Sequence, residues 1–547
     1  MTRARSIRFA RTAGVVLLAV LLAACTTPTQ GGGRIGTWNK PAPSGSSTAT
    51  FPLPVPTSVY TGATSPDRQT VDYDQNLRVP GMTDPPPGSG YDRYYKQTVT
   101  WGTCATPSKG TQCATVLAPL DWHNPDGTAI TLSMKRLAAT SAPADPSSPD
   151  LFINPGGPGG SAMDYVDSFN TTGLKGFNIV GLDPRGSGES TPVVCGTTAQ
   201  IDAYFNLDAA PTTDAAKQAL IDGSKQFADQ CRQNSGVLLD HVSTIEAVYD
   251  FDMVRQLLGD AKFNWMGTSY GTFIGAVYLE LYPQNAGRMV LDAAVNITQN
   301  TSVSQPAGFD LALHAYAQWA AKQGYGGNTE DAVIKAITDF TDSLAANPIK
   351  VGNRTLTQSL FVSGLAMFMY VGTSGYATLA NVLDLTMNNR NGTYMLKAAD
   401  AMNDRTSSGY GSLATAFPAI LCLDEADNGL ADAFTQWQKD SVTAPYFGTY
   451  MGPDTTCPTW TTQPAAQIEF HGAGDPPFLV LGGTGDNATP YQYAQWMAQQ
   501  MPSAVLVTRD GVGHGSYDSG SSCVDTIVRA FLAAGTVPAA GTVCQMG

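Results

Sequence analysis

The feature that most restricts this chain is a pentapeptide, Gly267-Thr268-Ser269-Tyr270-Gly271, set between a short apolar strand and an apolar helix. Phe263 to Met266 reads as the strand, and Tyr270 to Tyr282 as the helix, stopped by Pro283. A strand-to-helix turn this tight tolerates only small residues around the serine, and it lifts the hydroxyl above the sheet. The surrounding sequence keeps the same alternation. Thr115 to Leu120 and Ala129 to Leu137 read as strands separated by Asn124-Pro125-Asp126-Gly127. Leu151 to Asn154, Phe177 to Leu182 and Met289 to Leu291 read as further strands. Ser243 to Leu258 is helical by period, with a Ser243/Glu246 capping-box signature at its start and Gly259 at its end. This order predicts an α/β fold: a mainly parallel central sheet with helices on both faces.

From about residue 295 to 465 the pattern changes to helices: Phe309 to Gln323, Glu330 to Ala346, Leu356 to Met369 and Tyr394 to Met402. Strand and helix signals then return in Phe478 to Leu481, Pro490 to Gln500 and Ala504 to Thr508. The early and late portions each resemble half of one sheet. The expected organisation is therefore one α/β domain in two pieces, 93–294 and 466–547, interrupted by a helical cap at 295–465.

The N-terminus carries an export signature. Arg3, Arg5, Arg8 and Arg11 precede an apolar run, Ala13 to Ala24, too short for a comfortable membrane span. It ends Leu22-Ala23-Ala24-Cys25, similar to a bacterial lipobox. Residues 1–24 are expected to be a signal peptide, with Cys25 lipid-modified and anchoring the protein to the outer face of the cell membrane. No later segment is expected to span a membrane. Residues 25–92, rich in Pro, Gly, Ser and Thr, read as a flexible tether. Besides Cys25 there are eight cysteines, an even set that suits disulfides in an oxidising compartment. Eight cysteines allow 105 pairings; pairing between sequence neighbours is the expectation, because each such pair closes a short or moderate loop. With no C-x-x-C and scattered histidines, no metal or other cofactor is expected. The formal net charge of -14 argues against nucleic-acid binding.

A serine hydroxyl needs a base. His514, in Gly511-Val512-Gly513-His514-Gly515-Ser516 just after a strand, is the candidate; His123, His241, His314 and His471 lack that placement. Asp486, in Gly485-Asp486-Asn487-Ala488-Thr489-Pro490, is the expected orienting carboxylate. Thr489 and Pro490 read as N-cap and first residue of the next helix, which leaves Asp486 free of a capping role. Asp510 and Asp518 are less well placed. For the oxyanion, the loop Asn154-Pro155-Gly156-Gly157-Pro158-Gly159-Gly160-Ser161 offers the N–H of Gly157, or of Gly156, beside that of Tyr270. Without a P-loop lysine or G-x-G-x-x-G, this glycine-rich loop is not expected to hold a nucleotide.

Four motifs occur in order: Gly-Gly-Pro-Gly at 156–159, Gly181-Leu182-Asp183-Pro184-Arg185-Gly186-Ser187-Gly188-Glu189-Ser190, the Gly-Thr-Ser-Tyr-Gly turn, and Gly-Asp-Asn-Ala-Thr-Pro at 485–490. In these the chain resembles the secreted tripeptidyl-aminopeptidase group of proline iminopeptidase-like serine peptidases, within the α/β-hydrolase superfamily. It departs from proline iminopeptidases at Pro155, where they carry His; the secreted branch is like this chain there. The resemblance implies an exopeptidase that releases short peptides or single residues from a free N-terminus. It also implies a carboxylate anchor for the substrate ammonium on the cap, for which Asp424 and Glu425 are the candidates. Asp183 and Arg185 are expected to pair and fix the loop beside the turn. A carboxylesterase or lipase using the same three residues is the first competing reading. A non-catalytic surface lipoprotein that binds a ligand in a degenerate pocket is the second.

Overall fold

The computed structural model describes residues 53–59, 65–106, 108, 110–472 and 474–546. Fourteen strands lie among them: β1 (Met82–Thr83), β2 (Thr111–Pro119), β3 (Ala129–Leu137), β4 (Asp150–Asn154), β5 (Asn178–Leu182), β6 (Phe263–Thr268), β7 (Ala286–Asp292), β8 (Ile349–Val351), β9 (Arg354–Leu356), β10 (Arg405–Thr406), β11 (Gly409–Tyr410), β12 (Phe478–Gly485), β13 (Ala504–Val512) and β14 (Thr542–Gln545). Ten of them form one sheet in the order β1-β3-β5-β4-β6-β7-β12-β13-β14, with β2 also on β3. Pairings that involve β3 are antiparallel, and those from β5 across to β14 are parallel. The chain forms an α/β-hydrolase fold. Both faces of the sheet are covered, so its central strands are apolar on both sides. Alternation sends Phe152 into one core, with Val248 and Tyr278, while Leu151 and Ile153 enter the other, with Val528 and Phe531.

The helix Thr244–Leu258 starts as its sequence suggests. The Ser243 hydroxyl accepts the N–H of Glu246 at 3.3 Å, and Gly259 closes the helix at φ 81°. Only half of the capping box forms. Glu246 turns its carboxylate to the Ser243 hydroxyl and to His241 Nδ1 instead of the Ser243 N–H.

Between β7 and β12 lie the cap helices, among them Gln305–Gln323, Glu330–Ala346, Gln358–Val371, Tyr376–Met387, Leu413–Asp424 and Leu430–Thr443. They build a separate core around Phe309, Phe361, Leu365 and Met395. Two features differ from the expected boundaries. The helices Thr198–Phe205 and Asp214–Ser235 are unforeseen in the first half. Thr198–Phe205 meets the cap, with Phe205 stacked on Tyr410 at 5.3 Å and Arg405 paired with Asp202 at 2.7 Å, while Asp214–Ser235 packs Phe227, Ala228 and Cys231 into the main core and bonds Ser224 to Thr455 at 2.7 Å. Conversely, Ala416, Ala419 and Ile420 of Leu413–Asp424 pack in the main core, because that helix lies directly on the sheet domain. The run Gln358–Met387 is apolar and long enough to cross a membrane by length and composition, contrary to expectation. It is broken at Gly372–Gly375 and mostly buried, because it is the inner layer of the cap.

The disulfides join sequence neighbours: Cys104–Cys113, Cys195–Cys231, Cys422–Cys457 and Cys523–Cys544. The expected signal segment and Cys25 lie outside the described residues. The tether expectation for 25–92 fails over its C-terminal part. Met82 and Thr83 pair with Ile130 and Ala129. Arg68 is buried, with its guanidinium donating to Asp427 at 2.8 Å and to the carbonyls of Cys422, Glu425 and Thr462. A proline-rich segment can still be ordered when its few long side chains find buried partners.

Candidate active site

Strand β6 ends at Thr268, and Ser269 takes φ 57° and ψ -125° before the helix Tyr270–Leu281 begins. A non-glycine residue in this region is strained and persists only where its surroundings over-determine it. Here the Ser269 N–H donates to the Asp292 carbonyl at 2.9 Å, and the Ser269 carbonyl accepts the Thr272 hydroxyl at 2.6 Å. The flanking glycines are steric requirements. A Cβ on Gly267 would lie 2.2 Å from the Gly271 carbonyl oxygen, and one on Gly156 would lie 2.5 Å from that of Thr268.

The β13 loop carries His514, and the β12 loop carries Asp486. Their side chains meet at 2.8 Å, Nδ1 to Oδ1. Asp486 is fully buried, and its Oδ1 also accepts the N–H groups of Ala488 and Thr489 at 3.0 and 2.8 Å. This corrects the sequence expectation. Pro490, not Thr489, is the N-cap of Tyr491–Gln500, and Asp486 does organise the turn that leads into that helix. Burial raises the Asp486 pKa, but the positive field and hydrogen bond of His514 outweigh it and hold the carboxyl below its ordinary value. For His514, burial lowers the pKa. Asp486, through charge and hydrogen bond, and then Asp292 outweigh that, so the imidazole is raised above its ordinary value. His514 Nε2 is buried with no partner among the described residues. It is the one ring nitrogen left to take a proton.

Three residues that sequence reading missed hold these loops together. The Asp292 carboxylate, at the end of β7, accepts the N–H groups of Ser516 and Tyr517, each at 2.9 Å. Arg509, buried beneath the same loop, donates to the carbonyls of Val512 and Gly513. Tyr370 of the cap helix Gln358–Val371 accepts the His514 N–H at 3.2 Å and presents its ring edge-on to the imidazole at 5.2 Å. A buried carboxylate at the tip of β7 was the one available signal. It sits at the C-terminal end of a parallel strand, where sites of this fold gather.

Among the oxyanion candidates, Gly156 has its N–H committed to Asn154 Oδ1 at 2.8 Å. The N–H groups of Gly157 and Tyr270 have no acceptor among the described residues. Leu413 of the cap closes over this loop, since a Cβ on Gly157 would come within 2.7 Å of it.

The expected Asp183–Arg185 pair does not form. Asp183 accepts from Ser161, Met163 N–H and Glu189 N–H, on one side of its strand. Arg185 turns the other way, onto Asp250 at 2.7 and 2.8 Å. Both groups are buried, and each finds complete hydrogen bonding locally.

The two acidic cap candidates differ. Asp424 is buried and saturated: it accepts the N–H and hydroxyl of Thr244 at 2.8 and 2.5 Å and the Tyr270 hydroxyl at 3.1 Å. Burial pushes its pKa up to about 6. The Glu425 side chain is exposed and accepts no hydrogen bond among the described residues. Desolvation, then the charges of Asp424 and Asp454, push it up to about 7. Asp454, not foreseen from sequence, is likewise exposed and raised by desolvation. The Cys422–Cys457 disulfide ties the segments that bear these two acids together.

Two family descriptions match the chain: an alpha/beta hydrolase fold over residues 149–326 and a TAP-like protein over 444–544. It is 31% identical over 483 residues to serine protease Hip1 of Mycobacterium tuberculosis, covering 82% of this chain and 91% of that one. It is 26% identical over 473 residues to a tripeptidyl aminopeptidase of Streptomyces lividans, covering 82% and 86%. Carboxylesterase B of Mycobacterium tuberculosis is 32% identical over 476 residues, covering 81% and 89%.

Proposed function

Because the chain belongs to the TAP-like family of α/β-hydrolase serine hydrolases, we propose that it is an exported serine exopeptidase acting on peptides with a free N-terminus. Ser269 is the nucleophile, His514 the general base and acid, and Asp486 the group that fixes the imidazole. The Ser269 hydroxyl attacks the scissile carbonyl as its proton passes to His514 Nε2. The oxyanion is received by the N–H groups of Gly157 and Tyr270. Collapse breaks the C–N bond, and the leaving amine takes the proton from His514. Water then repeats the sequence on the acyl-enzyme. The observation that supports the serine-hydrolase part of this reading is the buried His514–Asp486 contact at 2.8 Å with Nε2 left unpartnered among the described residues.

Glu425, with Asp454, anchors the substrate ammonium; Asp424, saturated by Thr244 and Tyr270, supports Tyr270 instead. What favours Glu425 is an accessible carboxylate without a hydrogen-bonding partner among the described residues. The decisive experiment compares a peptide amide with its N-acetylated form, alongside fluorophosphonate labelling of wild type and Ser269→Ala. Labelling at Ser269 with a large preference for the free amine is expected. Labelling with no such preference would leave a serine hydrolase of esterase type, the reading that the carboxylesterase relative favours.

The protein is exported and lipid-anchored at Cys25, on the strength of the arginine-flanked apolar run ending Leu-Ala-Ala-Cys and the disulfides. Detergent-phase partitioning of wild type against Cys25→Ala tests this, with loss of the detergent-phase fraction expected.

A further inference from the structure

A cavity of about 460 Å³ lies between the cap and the segment 204–224, a size ordinary for a small-molecule site. Its walls mix apolar side chains, Phe205, Val362, Met402 and Phe417 among them, with polar ones such as Ser363 and Asn403. Among the described residues, Asp454 is the only charged group lining it. Phe417 is 40% exposed, a large aromatic face left uncovered.

Three wall elements also touch the reaction centre. Gln358–Val371 gives Val362, Ser363 and Ala366 to the cavity, and its last turn gives Tyr370 to His514. Leu413–Asp424 gives Phe417 to the cavity, while its Leu413 and Ala416 crowd Gly157 and Gly159. Gln305 lines the cavity and donates to the Ala488 carbonyl at 2.9 Å, two residues from Asp486.

We infer that this cavity is an acyl-side specificity subsite for a large apolar side chain, aromatic or long aliphatic. An anionic side chain is excluded. It would meet Asp454 with no cationic side chain among the described lining residues to pair with it. The inference rests on the serine-hydrolase reading but not on the exopeptidase one, because an ester's acyl group would occupy the same space.

The test uses the full-length protein and two substrate series. One is a set of peptide amides with Phe, Leu, Ala or Glu in turn at each position before the scissile bond. The other is p-nitrophenyl esters of acetic and 3-phenylpropionic acid. At one peptide position kcat/KM is expected to favour Phe or Leu over Ala by about tenfold or more, with Glu poorest. Ser363→Trp fills the cavity and is expected to lower the large-to-small ratio by about tenfold in whichever series the enzyme accepts. Phe417→Ala, which widens it, should change the same ratio with little effect on thermal melting. Equal rates across side chains at every position, a preference for Glu, or an unchanged ratio in both variants would overturn the subsite. If only the ester series turns over but the ratio behaves as stated, the exopeptidase reading fails and the subsite stands.

Discussion

The carbonyl of Asp292 accepts the N–H of Ser269 at 2.9 Å. The same residue's carboxylate receives Ser516 and Tyr517, just beyond His514. One residue thus fixes the distance between the strained serine turn and the histidine loop. Its negative charge also helps to raise the His514 pKa.

Asp292→Asn keeps the shape but removes the charge and one acceptor. We expect kcat to fall about tenfold, equivalent to ~1.4 kcal/mol. Loss of the charge lowers the imidazole pKa, so the acid limb of the kcat/KM profile should move to lower pH. A residue that only supported the fold would lower the rate without moving the limb.

In the wild type, catalysis needs the neutral imidazole. Because the His514 pKa is raised, the acid limb should lie above the ~6.5 of a free histidine. Asp486→Asn should remove the charge and favour the wrong tautomer, costing about four orders of magnitude in kcat. Fluorophosphonate labelling of Ser269 in that variant should slow strongly while thermal melting changes far less.

Arg68→Met should be costly at a site far from the triad in sequence. The guanidinium is wholly buried and pairs with Asp427, whose side chain is 15% exposed. Removing one partner of such a pair costs about 3 kcal/mol. The turn from Cys422 to Asp427 would also lose its clamp. The urea midpoint should fall, and KM for free-amine substrates should rise more than kcat falls.

Asp260 gives a pH signature of stability. Burial, then the charge and hydrogen bonding of neighbouring Asp150, raise its pKa well above the carboxylate range. The folded state therefore holds a proton that the unfolded chain releases near pH ~4. That contribution is full below the unfolded pKa and is lost progressively as pH rises toward the folded value. Asp260→Asn mimics the protonated form. Its urea midpoint should exceed that of wild type by a margin that is larger at pH 8 than at pH 5.

Much of this was legible in sequence where local chemistry decides. Ala129–Leu137 and Glu330–Ala346 have the predicted bounds, because alternation and helical period are uninterrupted there. The Gly-x-Ser-x-Gly turn was legible because its glycines are steric necessities. Thr198–Phe205 and Asp214–Ser235 were missed, as their apolar residues are sparse and their partners lie some two hundred residues away on the cap. The saturation of Asp424 and the separate fates of Asp183 and Arg185 depend on which way buried side chains turn. Only tertiary packing decides that.

The Tyr370 contact with His514 bears on how the enzyme can breathe. A roof that swung wholesale off the sheet domain would have to break the bond between the His514 N–H and the Tyr370 carbonyl and strip the tyrosine ring from the imidazole. The setting of the imidazole thus depends on the helix Gln358–Val371 staying docked. Leu430–Thr443, by contrast, has no buried residue and takes no part in that contact.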